Sequence, residues 1–415
     1  MKIYLVGGAI RDQLLNVPIK DRDWVIVGAT EKMLLDLNFK KVGKDFPVFL
    51  HPISHEEYSL ARIDRKSGFG YTGFKTNYSK TVTLKEDLSR RDLTINAIAQ
   101  DNRGNYIDFF GGLKDLKNRI LRHVSCSFCE DPLRIFRIAR FSATLNHFGF
   151  QIASETMQLM ISMVKSKELL YLTKDRIWRE TEKACNTNNP HVYFQILYHC
   201  NALSIIFPEI NYAYQYGSQN INKYFPEKHY RFNFFIEIAK ISRLNTGIDI
   251  RFAYICAIIC HAKIFNTHAF LFKTNNKIFG ILIEKLCNRL RIPAYIKDLS
   301  IIFSKNVQFL SIIYLQSSKN IVLFLNQIDA WRKPNRVKKL SILIDLYMFS
   351  CMKLDILDLY HGNFLRSVFN VSNKVSIKPI ISVGFIGIKI RHELIRLRII
   401  AIDKWRKKFS ILRTI

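Results

Sequence analysis

Apolar and polar positions alternate in short segments over the first third of the chain. Four apolar segments have the length of a β-strand: Ile3–Val6, Trp24–Val27, Val48–His51 and Tyr58–Arg62. Thr30 is a residue type that caps helices, and a helical pattern follows it through Leu37. This mixture of strand and helix patterns predicts an α+β domain at the amino-terminal end.

The pattern changes near residue 140, where apolar residues begin to recur at helical spacing and strand patterns become rare. Polar stretches at residues 188–190, 216–228 and 372–374 predict boundaries between groups of helices. No apolar run reaches the ~18 residues that a membrane-spanning helix needs, so we expect no membrane association. The chain is therefore predicted to have an α+β head and an all-helical remainder.

Composition adds a strong positive charge. The chain has 63 Lys and Arg residues against 34 Asp and Glu residues, for a formal net charge of +29. Such an excess predicts a polyanionic partner, and RNA, DNA and anionic membranes all meet that description. The chain is also rich in Lys, Asn, Ile and Phe, so compositional bias explains the excess equally well.

Eight cysteines are scattered along the chain, and Met1 leads straight into the first strand. These features predict reduced thiols, no signal peptide and a cytoplasmic location. Cys126 and Cys129 form a single CxxC pair with no second pair nearby in the sequence, which argues against a zinc or redox site there.

The first strand is followed by two glycines, Gly7 and Gly8, and then by Arg11 in the predicted first turn of a helix. Glycine lets the backbone approach a ligand closely, the N–H groups of a helix start attract anions, and Arg11 adds a charged fork that matches phosphate oxygens. Asp21 and Asp23 precede the second strand, and their i, i+2 spacing predicts that both carboxylates face one side. Two carboxylates beside a phosphate cradle suit a Mg²⁺ ion that is shared with a nucleotide.

The longer string LVGGAIRDQLLNVPIKDRDWVIVG resembles the tRNA nucleotidyltransferases, or CCA-adding enzymes, of the bacterial class that also contains poly(A) polymerases. Their superfamily is the one related to DNA polymerase β. The resemblance implies an α+β head with a mixed sheet, Mg²⁺ on Asp21 and Asp23, and a triphosphate held by Gly8 and Arg11. It also implies CTP and ATP as substrates and the 3′ end of tRNA as the acceptor.

Four parts follow from the resemblance, and each has an expected role. They are a catalytic head at 1–140, a nucleotide- and RNA-binding neck at 141–225, a degenerate HD-like domain at 226–330 and a basic, tRNA-binding tail at 331–415. Within the head, the segment at 63–73 is basic and then glycine-rich, which predicts either a mobile loop or a passive hairpin tip. In the family the matching loop helps to close over the nucleotide, and Glu57 falls where a further acidic residue can lie near the metals.

A second motif, RRDLTINA at residues 90–97, predicts a helix that begins at a pair of arginines. Asp92 and Asn96 would share one face of that helix. Arginine at a helix start opposes the helix dipole, so the pair is either solvated or neutralised by a bound anion. The resemblance implies that Arg91 contacts a nucleotide phosphate.

A third motif, EDPLRIFRIARF at residues 130–141, predicts a helix that begins near a proline. Asp131 and Arg134 are then i, i+3 neighbours that can form one hydrogen-bonding edge, with Arg137 and Arg140 on the same stripe. An ordinary ion pair with a solvated basic face has the same spacing. The motif resembles the family's EDxxR element, in which the Asp and the Arg act as an amino-acid template and the later arginines bind nucleotide.

The chemistry of such a template follows from its donors and acceptors. A carboxylate only accepts hydrogen bonds and a guanidinium only donates them. Cytosine and adenine present an amino donor beside an acceptor nitrogen, so Asp131 and Arg134 together would select these two bases. Uracil and guanine present a carbonyl oxygen beside a donor nitrogen and would leave both side chains unpaired.

The helical remainder carries binding potential more than chemistry. Arg391–Lys408 is a basic amphipathic segment that predicts an RNA-binding, membrane-binding or merely solvated face. In the family this region binds the tRNA acceptor arm through shape and phosphate contacts. Where relatives with an HD domain carry an adjacent His-Asp metal pair, this chain has Ala257 and Ile258, with only His261 and His268 nearby.

Two alternative functions remain open at this point. One is a poly(A) polymerase of the same family, and the other is a catalytically silent RNA-binding protein on the same scaffold. The intact acidic and arginine motifs favour an enzyme, and the long basic tail favours the tRNA-specific branch. The sequence leaves open whether the chain acts as a monomer or a homodimer.

Overall fold

The computed structural model describes most of the chain. The described residues are 1–42, 48–66, 74–217, 234–241, 246–266, 275–352 and 360–411. They form two compact units, Met1–Pro208 and Glu209–Ile415. The four-part division expected from the resemblance stays a prediction.

The strands of the first unit are short. They are β1 (Lys2–Val6), β2 (Asp23–Val27), β3 (Lys40–Lys41), β4 (Val48–Leu50), β5 (Glu57–Leu60), β6 (Ile63–Lys66), β7 (Phe74–Asn77), β8 (Ile98–Gln100), β9 (Tyr106–Asp108), β10 (Ile120–Leu121) and β11 (Gln151–Ile152). Seven of them form a sheet in the order β3-β4-β5-β2-β1-β8-β9. Its β2–β5 pair is parallel, and the other five pairs are antiparallel. The mixed sheet predicted for the head is therefore confirmed.

Helices make up most of the rest. Those that begin in the first unit are α1 (Gly8–Leu14), α2 (Glu31–Asp36), α3 (Leu84–Ser89), α4 (Gly112–Lys117), α5 (Leu133–Leu145), α6 (Ser154–Lys165), α7 (Lys174–Cys185), α8 (Pro190–His199), α9 (Ala202–Ile206) and α10 (Pro208–Gly217). Those of the second unit are α11 (Phe234–Ile241), α12 (Ile248–Asn266), α13 (Asn275–Arg289), α14 (Ala294–Ser311), α15 (Ser318–Gln327), α16 (Asn335–Ser350), α17 (His361–Asn373), α18 (Lys378–Ser382) and α19 (Ile388–Ile411). None of the helices in the described stretches combines the length and apolar character needed to cross a bilayer.

The centre of the sheet brings the first two motifs together. Val6 is the register partner of Asp23 in the β1–β2 pair, so the turn after β1 lies beside the start of β2. Leu5 packs with Ala9 of α1 on one face of the sheet, whereas Val6 packs with Val25 in a separate cluster. Because both faces of β1 are buried, the turn that follows it is held firmly in place.

Helix caps explain where the head helices begin. The Thr30 hydroxyl accepts a hydrogen bond from the Met33 N–H at 3.4 Å, which confirms the predicted cap of α2. Thr83 and Glu86 form a reciprocal capping box that starts α3, and that signal was missed in the sequence. The prediction of a helix beginning at the arginine pair is therefore wrong, because α3 ends there with Arg90 as its C-cap. Cations are favoured at a helix end, so the arginine pair poses no conflict that an anion must remove.

The second unit holds the region expected to be a degenerate HD domain. Ala257 and Ile258 are fully buried on α12. His261 is 3% exposed, and its Nδ1 lies 2.8 Å from the Tyr347 hydroxyl. Burial raises the pKa of the Cys256 thiol well above its usual value, which disfavours the thiolate that a metal would need. His268 lies outside the described residues, and among those that are described no group of three or more His, Cys, Asp or Glu could hold a metal ion.

Candidate active site

Gly7 shapes the turn between β1 and α1. Its backbone has φ +79° and ψ −135°, a conformation that only glycine adopts readily. A Cβ atom there would lie 2.9 Å from Nη1 of Arg91, closer than real side chains approach. A Cβ on Gly8 would lie 3.5 Å from Nη2 of Arg11, which is an ordinary contact. The steric requirement for glycine therefore falls on Gly7 and not on Gly8, the residue expected to bind nucleotide.

Arg11 is largely buried and connects two motifs. Its Nη1 donates to the Asn96 side-chain oxygen at 2.8 Å, and its Nε and Nη2 donate to Asp12 at 2.9 and 2.7 Å. The Asn96 amide donates in turn to Asp92 at 3.1 Å, although the two residues do not share the helix predicted for them. Asp92 also accepts from Arg137 Nε at 2.7 Å. Burial alone would raise the pKa of Asp92, but Arg137 and Asn96 hold it well below the usual value.

The acidic residues lie around the start of β2. Asp23 begins the strand, whereas Asp21 lies in the preceding loop, so the two carboxylates are not carried by one strand as the spacing predicts. Glu57 on β5 is the register partner of Asp23 in the parallel pair. Burial raises the pKa of Asp23. The positive charges of Arg91 and Arg137 oppose this rise, whereas the negative charge of Asp21 adds to it. A bound cation would relieve this cost, and carboxylate oxygens are the ligands that a hard ion such as Mg²⁺ prefers, so the metal role of Asp21 and Asp23 stays a prediction.

Two cavities adjoin these carboxylates. The first, here called the head cavity, has a volume of about 580 Å³ and includes Gly7, Arg11, Asp23, Arg91, Asp131 and Arg134 in its lining. The second has a volume of about 670 Å³. Asp21 lines only the second cavity, whereas Asp23 and Glu57 line both. Asp23 and Glu57 are therefore the carboxylates shared between the space where several arginines converge and the more exposed acidic loop.

A buried ion-pair network holds Arg91 beside the turn. Asp87 is fully buried at the end of α3 and accepts from Arg91 Nη2 at 3.4 Å and from Arg90 Nη2 at 2.6 Å. Asp87 also accepts from the backbone N–H of Arg62 at 3.2 Å. Because Asp87 is three and four residues before the two arginines, the EDLSRR spacing was the sequence signal for this network.

Asp131 and Arg134 both line the head cavity but have separate partners. Arg134 Nη1 donates to the backbone carbonyl of Ser127 at 2.8 Å, and its Nη2 donates to the carbonyl of Arg90. The Asp131 carboxylate accepts from Arg176 and from the Leu133 backbone N–H. The single edge predicted for this pair is therefore not formed in this structure, because each side chain is engaged elsewhere.

The two later arginines of the motif also differ from each other. Arg137 lines the head cavity and forms an ion pair with Asp92. Arg140 donates to Glu180 of α7 at 2.5 Å, and its guanidinium lies 4.1 Å from the ring centre of Phe141. The ion pair of Arg140 joins two helices, and its role in binding nucleotide stays a prediction.

The basic segment at the carboxyl terminus forms the helix that its pattern predicts. Ile402 is fully buried on α19, whereas Arg391 and Lys404 are exposed. The Arg398 guanidinium lies 3.5 Å from the ring centre of Trp331. Burial lowers the pKa of Arg398 to about 10. This helix thus presents charge to solvent along one side, while its other side packs against the rest of the second unit.

Comparison with known proteins decides the family. Residues 3–122 match the family described as "Poly A polymerase head domain", and residues 149–214 match "Probable RNA and SrmB- binding site of polymerase A". A CCA-adding enzyme from Buchnera aphidicola subsp. Baizongia pistaciae is 56% identical over 413 residues, which are 99% of each chain. Another, from Buchnera aphidicola subsp. Schizaphis graminum, is 53% identical over 410 residues and 98% of each chain. The chain belongs to the CCA-adding enzyme family.

Solved structures of CCA-adding enzymes have the same fold. The Bacillus stearothermophilus CCA-adding enzyme in complex with CTP matches with a TM-score of 0.62 at 18% identity, over 98% of this chain and 94% of that one. A CCA-adding enzyme in complex with ATP matches with a TM-score of 0.62 at 20% identity, over 96% of this chain and 85% of that one. The resemblance read from the sequence and the predicted fold class are confirmed. Membership in this nucleotidyltransferase family implies dependence on a divalent metal.

Proposed function

We propose that this chain adds and repairs the 3′-terminal CCA sequence of tRNA without a nucleic acid template, using CTP and ATP and releasing pyrophosphate. The observation that carries the proposal is the head cavity. Asp23, the arginines expected to bind phosphate (Arg11 and Arg91) and the Asp131–Arg134 motif all line this one space. The full-length similarity to enzymes named for CCA addition supports it. We expect the reaction to occur in the cytoplasm, by a monomer or a homodimer.

Asp21 and Asp23 would hold Mg²⁺, and the register of β5 with β2 makes Glu57 a candidate for a further ligand. When bound, Mg²⁺ supplies charge stabilisation at the attacking and leaving oxygens of a phosphoryl transfer. The protein's own contribution begins with Asp23, whose partial burial favours pairing with a cation.

The remaining head residues would position the triphosphate for in-line attack. Arg11 and Arg91 are held by neighbouring carboxylates, so phosphate oxygens can replace these partners by similar charge-assisted hydrogen bonds. Gly8 at the start of α1 leaves room for close approach. The tRNA 3′ oxygen then forms a bond to the α-phosphorus, the bond to pyrophosphate breaks, and the hydroxyl proton passes to solvent.

Base selection would depend on Asp131 and Arg134. Asp131 accepts a hydrogen bond from the amino group of cytosine or adenine, and Arg134 donates to the adjacent ring nitrogen. Arg134 must exchange at least one of its two backbone carbonyl partners to do so. Arg137 and Arg140 would support the base or the phosphates, and the exposed cations of α19 would bind the tRNA acceptor arm.

A poly(A) polymerase is the second candidate, because both family descriptions that match the chain are named for that enzyme. One assay separates the two. The purified protein is incubated with Mg²⁺, each labelled nucleotide, and tRNAs that lack three, two or one nucleotides of the CCA end. CCA addition requires CTP for the first two substrates, ATP for the third, and then arrest. Repeated addition of AMP to any RNA 3′ end would establish the polymerase instead.

A further inference from the structure

Arg176 makes the most specific contact to the base-reading carboxylate. Its Nη2 donates to Asp131 Oδ2 at 2.8 Å, and its Nη1 donates to Oδ1 at 3.3 Å. The Leu133 backbone N–H donates to Oδ1 at 3.1 Å. The Arg176 and Asp131 side chains are only 23% and 18% exposed, and both line the head cavity. The carboxylate is thus held in one plane at the border of the nucleotide-sized space.

The hydrogen-bonding capacity of the carboxylate then decides what it can still accept. A carboxylate has about four acceptor positions, two on each oxygen. Among the described residues, two donors reach Oδ1 of Asp131 and one donor reaches Oδ2. One acceptor position therefore remains on Oδ2, which matches the single N–H that a base amino group directs toward it.

The place of Arg176 in the fold explains why this contact is specific. Arg176 is the third residue of α7, where a cation opposes the helix dipole and needs a compensating anion. Its neighbours Ile177 and Trp178 are buried, so the first turn of α7 is fixed by packing. The Arg140–Glu180 ion pair joins α7 to α5 a turn further along. Arg176 therefore approaches Asp131 from a separate, rigid element.

We propose that Arg176 is a positioning residue that sets base selectivity by orienting Asp131, an inference that rests on the proposed function. With Arg176 in place, the free position on Oδ2 meets the amino group of cytosine or adenine and repels the carbonyl oxygen of uracil or guanine. Without Arg176 the carboxylate rotates and hydrates, so the carbonyl oxygen no longer meets a fixed acceptor. Selection against UTP and GTP is then lost while the phosphate contacts persist.

The test compares Arg176→Met, Arg176→Lys and Arg179→Met in the full chain, on tRNA that lacks the CCA end. Single-turnover efficiencies are measured with CTP and with UTP, and their ratio is the readout. Arg176→Met should lower the ratio by about tenfold or more, a part of the ~10⁴ that a hydrogen-bonding site can supply. Arg176→Lys should give an intermediate ratio, because lysine cannot bind both oxygens in a fork. Arg179 lies exposed on the same helix, so Arg179→Met should keep the wild-type ratio.

A double-mutant cycle with Asp131→Ala separates positioning from an independent effect. If Arg176 acts through Asp131, adding Arg176→Met to Asp131→Ala should cause no further fall in the CTP to UTP ratio. A purely structural role would lower the rates with both nucleotides and leave their ratio at the wild-type value.

The outcomes distinguish this inference from the proposed function. A wild-type protein that adds no CMP to tRNA would refute the proposed function itself. A wild-type protein that adds CMP, with an unchanged ratio in Arg176→Met, would overturn the role of Arg176. If circular dichroism shows that Arg176→Met is unfolded, the ratio in Arg176→Lys decides: a fall supports positioning, and a wild-type ratio overturns it.

Discussion

The substitution Gly7→Ala tests the turn on which the site is built. Gly7 has φ +79° and ψ −135°, and its N–H donates to the Ile98 carbonyl at 3.3 Å, so the backbone cannot rotate away freely. The added Cβ would lie 2.9 Å from Nη1 of Arg91. Arg91 is itself paired with the buried Asp87, so relief of the contact must disturb either the turn or that pair.

The magnitude follows mainly from the backbone. A non-glycine residue in this backbone conformation costs about 1–3 kcal/mol, and the contact adds little because Nη1 is the end of a long side chain that can move aside. We therefore expect local opening of the sheet around β1 to become easier by about 1–3 kcal/mol, which is roughly a 5- to 150-fold change in the opening equilibrium. The displaced guanidinium should also slow CMP addition.

Hydrogen exchange measured by mass spectrometry on the full chain reports this opening for peptides that cover β1, β2 and β8. The matched control is Gly8→Ala, whose Cβ would make only an ordinary contact at 3.5 Å. Alanine is also preferred to glycine within a helix by about 1 kcal/mol, so the control should exchange no faster than wild type. Equal exchange in the two variants would refute the reasoning about the turn.

Further predictions concern the metal, the base, the buried ion pair and the helical unit. Asp23→Ala should slow single-turnover CMP addition by more than about a hundredfold with tRNA affinity unchanged in filter binding, since metal ligation supplies several kcal/mol; a modest loss would count against the metal site. Asp131→Ala or Arg134→Ala should raise the relative use of UTP and GTP, and unchanged nucleotide preferences in competition assays would refute the template role of these two residues. Arg137→Met removes the partner that keeps the pKa of Asp92 low. It should lower the free energy of unfolding by about 2–3 kcal/mol at neutral pH, and the lower value is expected because the Arg137 side chain is 37% exposed. Because this stabilisation is present above the ordinary Asp pKa and is lost as pH falls below it, the gap between variant and wild-type urea midpoints should close in acid. Finally, we expect no turnover of 2′,3′-cyclic AMP with Ni²⁺, Mn²⁺ or Mg²⁺, and EDTA-sensitive turnover that survives Asp23→Ala would contradict this.

Local sequence patterns predicted the parts of the fold that depend on neighbouring residues. The cap at Thr30 and the strand, glycine turn, helix and strand at the amino terminus were all readable, because each depends on spacings of a few positions. The helix predicted at RRDLTINA failed for a local reason as well. The capping signal lies upstream at Thr83 and Glu86, so the arginines end a helix instead of starting one.

Contacts between distant segments could not be predicted in the same way. Asp131 and Arg134 were expected to pair because they are i, i+3 neighbours, yet the partner of Asp131 is Arg176, 45 positions away. The sequence analysis found no signal for that contact, although Arg176 lies in the first turn of what the structure shows to be α7, where a cation opposes the helix dipole. Such a position indicates that a partner exists without indicating which carboxylate supplies it.

The described arginines of the head cavity are already paired before any nucleotide is present, and this determines how binding energy is used. Arg11 is bonded to Asp12 and Asn96, and Arg134 is bonded to two backbone carbonyls. Replacing a carboxylate by a phosphate exchanges one charge-assisted bond for another, so the triphosphate gains little net energy at Arg11. If a base replaces one of the backbone carbonyls at Arg134, that carbonyl loses its hydrogen bond and must find another donor. Only a base with a correctly placed acceptor would compensate for the lost hydrogen bond. Because the phosphate exchange would be the same for every nucleotide and the exchange at Arg134 would not, we expect discrimination between nucleotides to arise at the Asp131–Arg134 end of the cavity.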